Sequence, residues 1–291
     1  VEDGRRVAVV TCSTAVGRDE DEPLLLDALA EAGVAAHVAA WDDPEVPWSH
    51  YDAVVLRSTW NYPQHHEAFD RWLGTASGST VVLNPVDVVR WNMSKTYLLD
   101  LVAAGVPVVP TVVAEVGQRA TVPDDWADVV VKPAIGAGAQ GTSRHRGATS
   151  GPADDVAAIH ATGRAALLQP YVEGIDAVGE TCVVFVGGRF SHAFRKHALL
   201  RDTAAQAGEL FAEEVIEPMT ATAQERAVAD AALAAVPFDA ARLLYARVDL
   251  FPTPAGPVVN EVELIEPSLF LVRSGPAAAG ALAGHIAARL R

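Results

Sequence analysis

Over the first 83 residues, short β-branched apolar runs alternate with segments of helical period, and that alternation leaves few folds open. The run RVAVVT at 6–11 reads as a buried strand. Residues 22–32 carry apolar side chains at helical spacing and stop at Gly33, a C-cap signal. Strands at 34–40, 52–57 and 81–83 and a helix at 67–73 continue the alternation. Units of this kind wind into a parallel α/β sheet. Asn84-Pro85 then breaks the pattern and sets a boundary near residue 90, so that 1–90 forms an N-terminal domain.

Beyond that boundary the pattern becomes α+β. The spacing predicts a helix at 95–104 ending at Gly105, a proline-interrupted strand at 106–113, and a strand at 127–132. That last strand runs into a loop of small residues at 133–142; a helix at 153–163 and a strand at 166–169 complete a middle unit, 91–170. The third unit, 171–291, holds a strand at 180–186, a Gly187-Gly188 turn into 189–195, and an aperiodic stretch at 199–211 that reads as a mobile loop closing over a ligand. An Ala-rich helix at 221–236, strands at 243–251 and 258–264, and a terminal helix at 277–290 follow.

Charge narrows the chemistry. The chain has 22 basic and 37 acidic residues, a net charge of −15. That balance excludes sequence-independent nucleic-acid binding and a polybasic membrane patch, while leaving room for an anionic small ligand in a locally positive site. Half the residues are hydrophobic and 20% are charged, which excludes a disordered chain. No apolar run approaches the roughly 18 residues of a membrane span. The first residues lack the apolar region of a signal peptide, so the expectation is a cytoplasmic protein without membrane or nucleic-acid partners, with homo-oligomerisation left open. Cys12 and Cys182 lie in strand-like segments without metal spacing and read as buried thiols. Only three cations are Lys (Lys95, Lys132 and Lys196) against nineteen Arg, which makes each Lys a candidate site residue unless coding bias explains the count.

Four constellations carry chemistry. Lys132 ends a strand just before Gly136, Gly138 and Gly141, a loop that can close backbone N–H groups around phosphate oxygens or can be a flexible glycine hairpin. Asp249 on one strand and Glu261 and Glu263 on the next share a face and suit Mg²⁺; alternating solvent-facing acids on an edge hairpin are the other reading. Gln169-Pro170-Tyr171-Val172 can expose backbone to a purine edge, with Glu180 on ribose hydroxyls, or can be an ordinary interdomain turn. Arg195-Lys196 and Arg247 are either stabilisers of phosphoryl transfer and an oxyanion or surface ion pairs.

Taken in order, these features resemble an ATP-grasp ligase over nearly the whole chain: a pre-ATP-grasp βαβ domain, then two α+β subdomains that clamp ATP. The resemblance implies ATP and Mg²⁺ as cofactors. It implies that Lys95 and Lys132 meet the nucleotide phosphates, that Gln169, Tyr171 and Val172 form the adenine hinge, and that Glu180 binds ribose as in D-alanine–D-alanine ligases. The match of Ala-Arg-Val-Asp to the family's Arg-Ile-Asp type strand implies that Arg247 faces the tetrahedral intermediate and Asp249 binds Mg²⁺. Glu261 and Glu263 stand where the family usually has Glu-x-Asn, so Glu263 is a departure.

The segments RSTWNY at 57–62, RWNMSK at 90–95, GRFSHAFRK at 188–196 and ELIEPSLF at 263–270 resemble a glutathione-synthetase-like bacterial subgroup that includes the O-ureido-D-serine cyclo-ligases of D-cycloserine biosynthesis. The implied chemistry is activation of an amino-acid-like substrate's carboxylate as an acyl phosphate, then attack by nitrogen. In the cyclo-ligase branch the substrate's own ureido nitrogen attacks, and D-cycloserine, ADP, phosphate, carbon dioxide and ammonia result. The alternative is an intermolecular carboxylate–amine ligase. A nucleotide-binding regulator without turnover is a third reading, against which the intact Lys95, Lys132, Asp249 and Glu261 argue. Candidate substrate residues are Arg57, Ser58, Thr59, Trp60 and Asn61, at the C-terminal end of a strand where open α/β sheets bind ligands, and Ser268; a helix N-cap is the competing role for Ser58 or Thr59. His192 and His197 flank the basic pair, as structural or acid–base groups.

Overall fold

The computed structural model describes residues 5–147, 151–197 and 215–290. The stretch 199–211, expected as a mobile loop, lies outside the described residues. The first unit runs β1 (Arg6–Thr11), α1 (Glu22–Glu31), β2 (Ala35–Ala40), β3 (Ala53–Ser58), α2 (His66–Ser77) and β4 (Val81–Leu83), followed by α3 (Val86–Met93) and α4 (Tyr97–Ala103). Its sheet has the order β2-β1-β3-β4 and is parallel throughout, as the alternation of strand and helix demands.

The middle unit runs β5 (Val112–Ala114), β6 (Asp128–Pro133), β7 (Ser143–Arg146), α5 (Gly151–His160) and β8 (Ala166–Pro170), with strand order β5-β8-β6-β7, all antiparallel. The third comprises α6 (Gly174–Val178), β9 (Glu180–Val186), β10 (Arg189–Lys196), β11 (Ile216–Met219), α7 (Ala223–Ala235), β12 (Tyr245–Thr253), β13 (Gly256–Glu263), α8 (Leu271–Ser274) and α9 (Pro276–Arg289). Its antiparallel sheet has the order β11-β10-β9-β12-β13. Among the described residues, no helix is long and apolar enough to cross a membrane.

Several elements depart from the pattern reading. The expected strand at 106–113 shrinks to β5 and one isolated bridge from Val108 to Val259, because Pro107 and Pro110 lack the N–H that a ladder needs. The helix expected from residue 95 begins at Tyr97, so Lys95 sits in the chain just before α4. The helix α3 runs through residue 90. The polar edge strand β7 (SRHR) and the short β11 (IEPM) have no apolar alternation to announce them. The helix α7 starts on a capping box that Thr222 and Glu225 form.

The cores show how the units meet. Val7, Val9, Leu25 and Leu29 of the first unit pack in one cluster with Val184, Val186, Leu282 and Ile286 of the third. Polar anchors reinforce that contact: the buried Asn84 side chain donates to the carbonyls of Tyr245 (2.9 Å) and Leu264 (2.8 Å), and Asn92 donates to Val262 O (2.7 Å). The middle unit keeps a small core of its own, built on Val129, Val131, Val156, Ile159 and Leu168.

Candidate active site

Strand alternation builds the floor of the site. Glu180 and Cys182 on β9, Arg247 and Asp249 on β12, Glu261 and Glu263 on β13, and Lys196 on β10 share one face, because side chains two apart on a strand point the same way. Asp249 lies opposite both Glu261 and Cys182, and Arg247 lies opposite Glu263. The buried Arg247 guanidinium donates to both Asp249 oxygens at 2.8 Å, to Glu263, and to the Ser268 carbonyl at 2.9 Å. Lys196 Nζ lies 3.1 Å from Glu180 Oε2.

A bulge supplies a residue that the pattern does not. Asp249 faces Glu261 but Leu250 faces Val259, so Asn260 is the extra residue on β13. Both Asn260 and Glu261 therefore reach Lys132, whose Nζ is 3.3 Å from Asn260 Oδ1 and 3.0 Å from Glu261 Oε1. Asn260 Nδ2 donates in turn to Glu180 at 2.9 Å. Lys95 Nζ donates to Gly136 O at 2.6 Å and pairs with Glu261 Oε2 at 3.4 Å. These groups open on a cavity of about 570 Å³ between the middle and third units, rimmed on one side by the first.

Electrostatics separates the carboxylates. Burial works to raise Glu261, but Lys95 and Lys132 outweigh it and hold the acid at about 2. Burial likewise opposes ionisation of Asp249, and Arg247 overcomes it, leaving the carboxyl lowered. Burial pushes Glu263 up; Arg247 opposes the shift, and neighbouring Asp249 and Glu261 add to it. Glu266 is raised to about 7 by burial, against the pull of Lys95. Burial also raises Glu180, with Lys196 opposing.

The structure brings most of the sequence-derived residues together. Lys95, Lys132, Gly136, Gly138, Gln169, Tyr171, Val172, Glu180, Lys196, Arg247, Asp249, Glu261, Glu263 and Ser268 all line the cavity, whereas Gly141 stands outside its lining. Tyr171 is braced by Arg144, which stacks 3.2 Å above its ring and chelates Asp128.

Arg195 is a correction. Its neighbour Lys196 faces the site, so strand alternation turns Arg195 to the other face, where it donates to Thr181 Oγ1 and Val178 O and pairs with Glu225. The substrate assignment of Arg57, Ser58, Thr59 and Asn61 also needs correction. All four are buried behind the wall and none lines the cavity. Arg57 donates to Pro267 O at 3.0 Å beside Asp19 and Asp21, Ser58 bonds Thr11, and Asn61 joins Trp41 to Asp42. Pro267 O, in the chain after β13, accepts from Arg57 at the end of β3 where a ligand was expected; Trp60, the remaining candidate of that stretch, does line the cavity, as does Tyr62. His192 Nε2 donates to Leu269 O (2.8 Å), and burial lowers its pKa; His197 lies 3.7 Å from Glu217 and lines the cavity.

Sequence reasoning missed Asn260, Glu266, Tyr97, Asp19 and Asp21, all on the cavity wall. Glu266 falls within the ELIEPSLF segment, and that was the available signal; the bulge that exposes Asn260 left none. The donor set fits Mg²⁺ with phosphate. Asp249 faces Glu261 across β12 and β13, with Lys132 on Glu261 and Lys196 on Glu180; among the described residues the ligand atoms that come within 4.8 Å of one another are those of Asp249, Glu180 and Cys182, so the expected trio Asp249, Glu261 and Glu263 does not itself form that tight cluster. Cys182 joins that cluster but is a soft ligand buried in the core, ill suited to Mg²⁺.

Comparisons with known proteins agree with this architecture. Residues 7–84 match the family model described as the N-terminal domain of D-cycloserine synthetase DcsG. The chain is 38% identical to the cycloserine biosynthesis protein DcsG of Streptomyces lavendulae over 283 residues, covering 92% of this chain and 93% of that one. It superposes on the crystal structure of D-cycloserine synthetase DcsG with a TM-score of 0.88 at 35% identity, covering 98% of this chain and 100% of the other. The D-alanine–D-alanine ligase of Bacillus anthracis complexed with ATP shares the fold, with a TM-score of 0.67 at 15% identity and 98% of each chain covered.

Proposed function

The chain belongs to the D-cycloserine synthetase family of ATP-grasp ligases, and from that premise we propose that it closes O-ureido-D-serine into D-cycloserine. It is an ATP-dependent ligase. The observation that carries the ATP site is convergence: all three lysines of the chain and the buried Arg247 meet in one cavity, each paired with a carboxylate; the choice of cyclisation rests on the 38% identity to the cycloserine biosynthesis protein. The reading divides the chain near residues 90 and 170 into a substrate-side domain, a lid and a catalytic unit.

In this reading the backbone at Gln169, Tyr171 and Val172 holds adenine, Glu180 holds ribose, and Lys95, Lys132 and the loop at Gly136 and Gly138 hold the phosphates. Asp249 and Glu261, with Glu263 beside them, would hold Mg²⁺, which neutralises charge on the phosphates. The substrate carboxylate attacks the γ-phosphate, ADP departs, and the acyl phosphate gains a leaving group that the carboxylate lacked. The ureido nitrogen attacks the acyl carbon and expels phosphate, while Arg247 steadies the oxyanion and Lys196 adds positive charge. Ring closure within one molecule needs no second amine and gains from proximity. Water then removes the carbamoyl group as carbon dioxide and ammonia.

A coupled phosphate-release assay with O-ureido-D-serine as the sole carboxylate tests this, with mass analysis of the product. ADP and D-cycloserine should form together. ADP appearing only when a separate amine is added would replace the cyclo-ligase reading with the intermolecular one.

A further inference from the structure

Lys95 and Lys132 come from different parts of the fold, the segment before α4 and the end of β6, yet both spend their charge on one carboxylate. Lys132 Nζ takes Glu261 Oε1 at 3.0 Å and Lys95 Nζ takes Glu261 Oε2 at 3.4 Å, so each oxygen holds one ammonium. The three side chains are only 13%, 10% and 18% exposed, which leaves the pairs poorly screened by salt. Asp249, the other central carboxylate, is held differently: both its oxygens are taken by Arg247. Glu261 is thus the acid that shares the two phosphate lysines.

We propose that Glu261 makes the site selective for metal-loaded over metal-free nucleotide by competing with the polyphosphate for Lys95 and Lys132. The inference rests on the reading of the cavity as the ATP site. Anionic phosphate oxygens that approach the two ammonium groups also approach Glu261, and like charges at contact repel strongly where water is scarce. A divalent cation between carboxylate and phosphate removes the conflict, since Glu261 can then exchange its lysines for the metal. Each lysine keeps a neutral acceptor, Gly136 O for Lys95 and Asn260 Oδ1 for Lys132, so neither depends on Glu261 alone for its position.

The consequence is a gain rather than a loss on mutation. Calorimetric titration with ATP is performed in the presence of EDTA and again with excess Mg²⁺, on wild type, Glu261→Gln and Asp249→Asn. Glu261→Gln should bind metal-free ATP at least about tenfold more tightly than wild type, the scale of a close buried charge coupling. Its preference for the magnesium form should largely vanish. Asp249→Asn should lose the magnesium-dependent tightening without a comparable gain for metal-free ATP. Glu261→Asp, whose shorter arm draws the carboxylate back from the lysines, should show a smaller gain in the same direction, and serves if the Gln variant does not fold. Unchanged or weaker binding of metal-free ATP by the folded Glu261 variants overturns the proposal, as does an equal gain in Asp249→Asn, which would reduce the effect to bulk charge. Wild type that binds neither form of ATP would instead overturn the site assignment itself.

Discussion

The first and third units are fused, whereas the middle unit stands on a core of its own. Val7, Val9 and Leu29 share a cluster with Val184, Leu282 and Ile286, and Asn84, Asn92 and Arg57 reach across to carbonyls of β12, β13 and the loop after it. The middle unit has the smaller cluster around Val129, Val131 and Ile159 and meets the rest through Ala134, Leu167 and the Lys132–Glu261 pair. The division runs through the site: Arg247, Asp249 and Glu263 sit on the fused base, while Lys132 and the glycine loop sit on the unit with its own small core.

The largest effect should come from the base. Arg247→Met leaves the buried Asp249 and the half-buried Glu263 without their partner and should destabilise the fold by about 3–5 kcal/mol. Turnover should fall about 10²–10³-fold. Denaturant unfolding and single-turnover assays check the two, and near-normal turnover would remove Arg247 from the chemistry. Next, Leu282→Ala should cost about 2–5 kcal/mol and loosen both fused units together, whereas Val131→Ala should speed amide exchange in the middle unit alone. Exchange that spreads equally from either mutation would erase the distinction. Lys132→Ala should weaken nucleotide binding about tenfold or more while melting remains near wild type; an unchanged ATP titration would refute its role.

The smallest effects lie in the pH dependence of stability, where two carboxylates of the third unit should differ in sign. Glu261, at about 2 against an ordinary 4.5, contributes stability that is complete above about pH 4.5 and is lost as pH falls toward 2. Glu266, at about 7, keeps a proton in the folded state that the unfolded chain has released, so its contribution declines as pH rises from 4.5 to 7. Urea midpoints across pH should show Glu261→Gln flattening the acid limb and Glu266→Gln flattening the upper one.

How much of this was legible in the sequence follows from the range of the interactions involved. The βαβ alternation and the carboxylates two apart on β13 are local patterns, and β1, β4 and β9 fall on the residues that the apolar runs predicted. The facing of Arg195 was equally local: period two separates it from Lys196, so treating the two as a basic pair overlooked strand geometry. Arg57 and Asn61 are different. The rule that ligands bind at strand ends is sound for an open sheet, but here Arg57 reaches Pro267, some 210 positions away along the chain, and Asn61 is tied to Trp41 and Asp42, contacts that no local pattern reports. Asn260 owes its place to a bulge, a register event between two strands that neither strand's composition encodes.

In the proposed chemistry a substrate carboxylate is activated by phosphoryl transfer before nitrogen attacks it. Labelling the carboxylate of O-ureido-D-serine with heavy oxygen and following the label through one turnover by mass spectrometry tests that claim directly. The account predicts that one labelled oxygen leaves in each inorganic phosphate and the other stays in the ring carbonyl of D-cycloserine. Unlabelled phosphate released alongside D-cycloserine would contradict it.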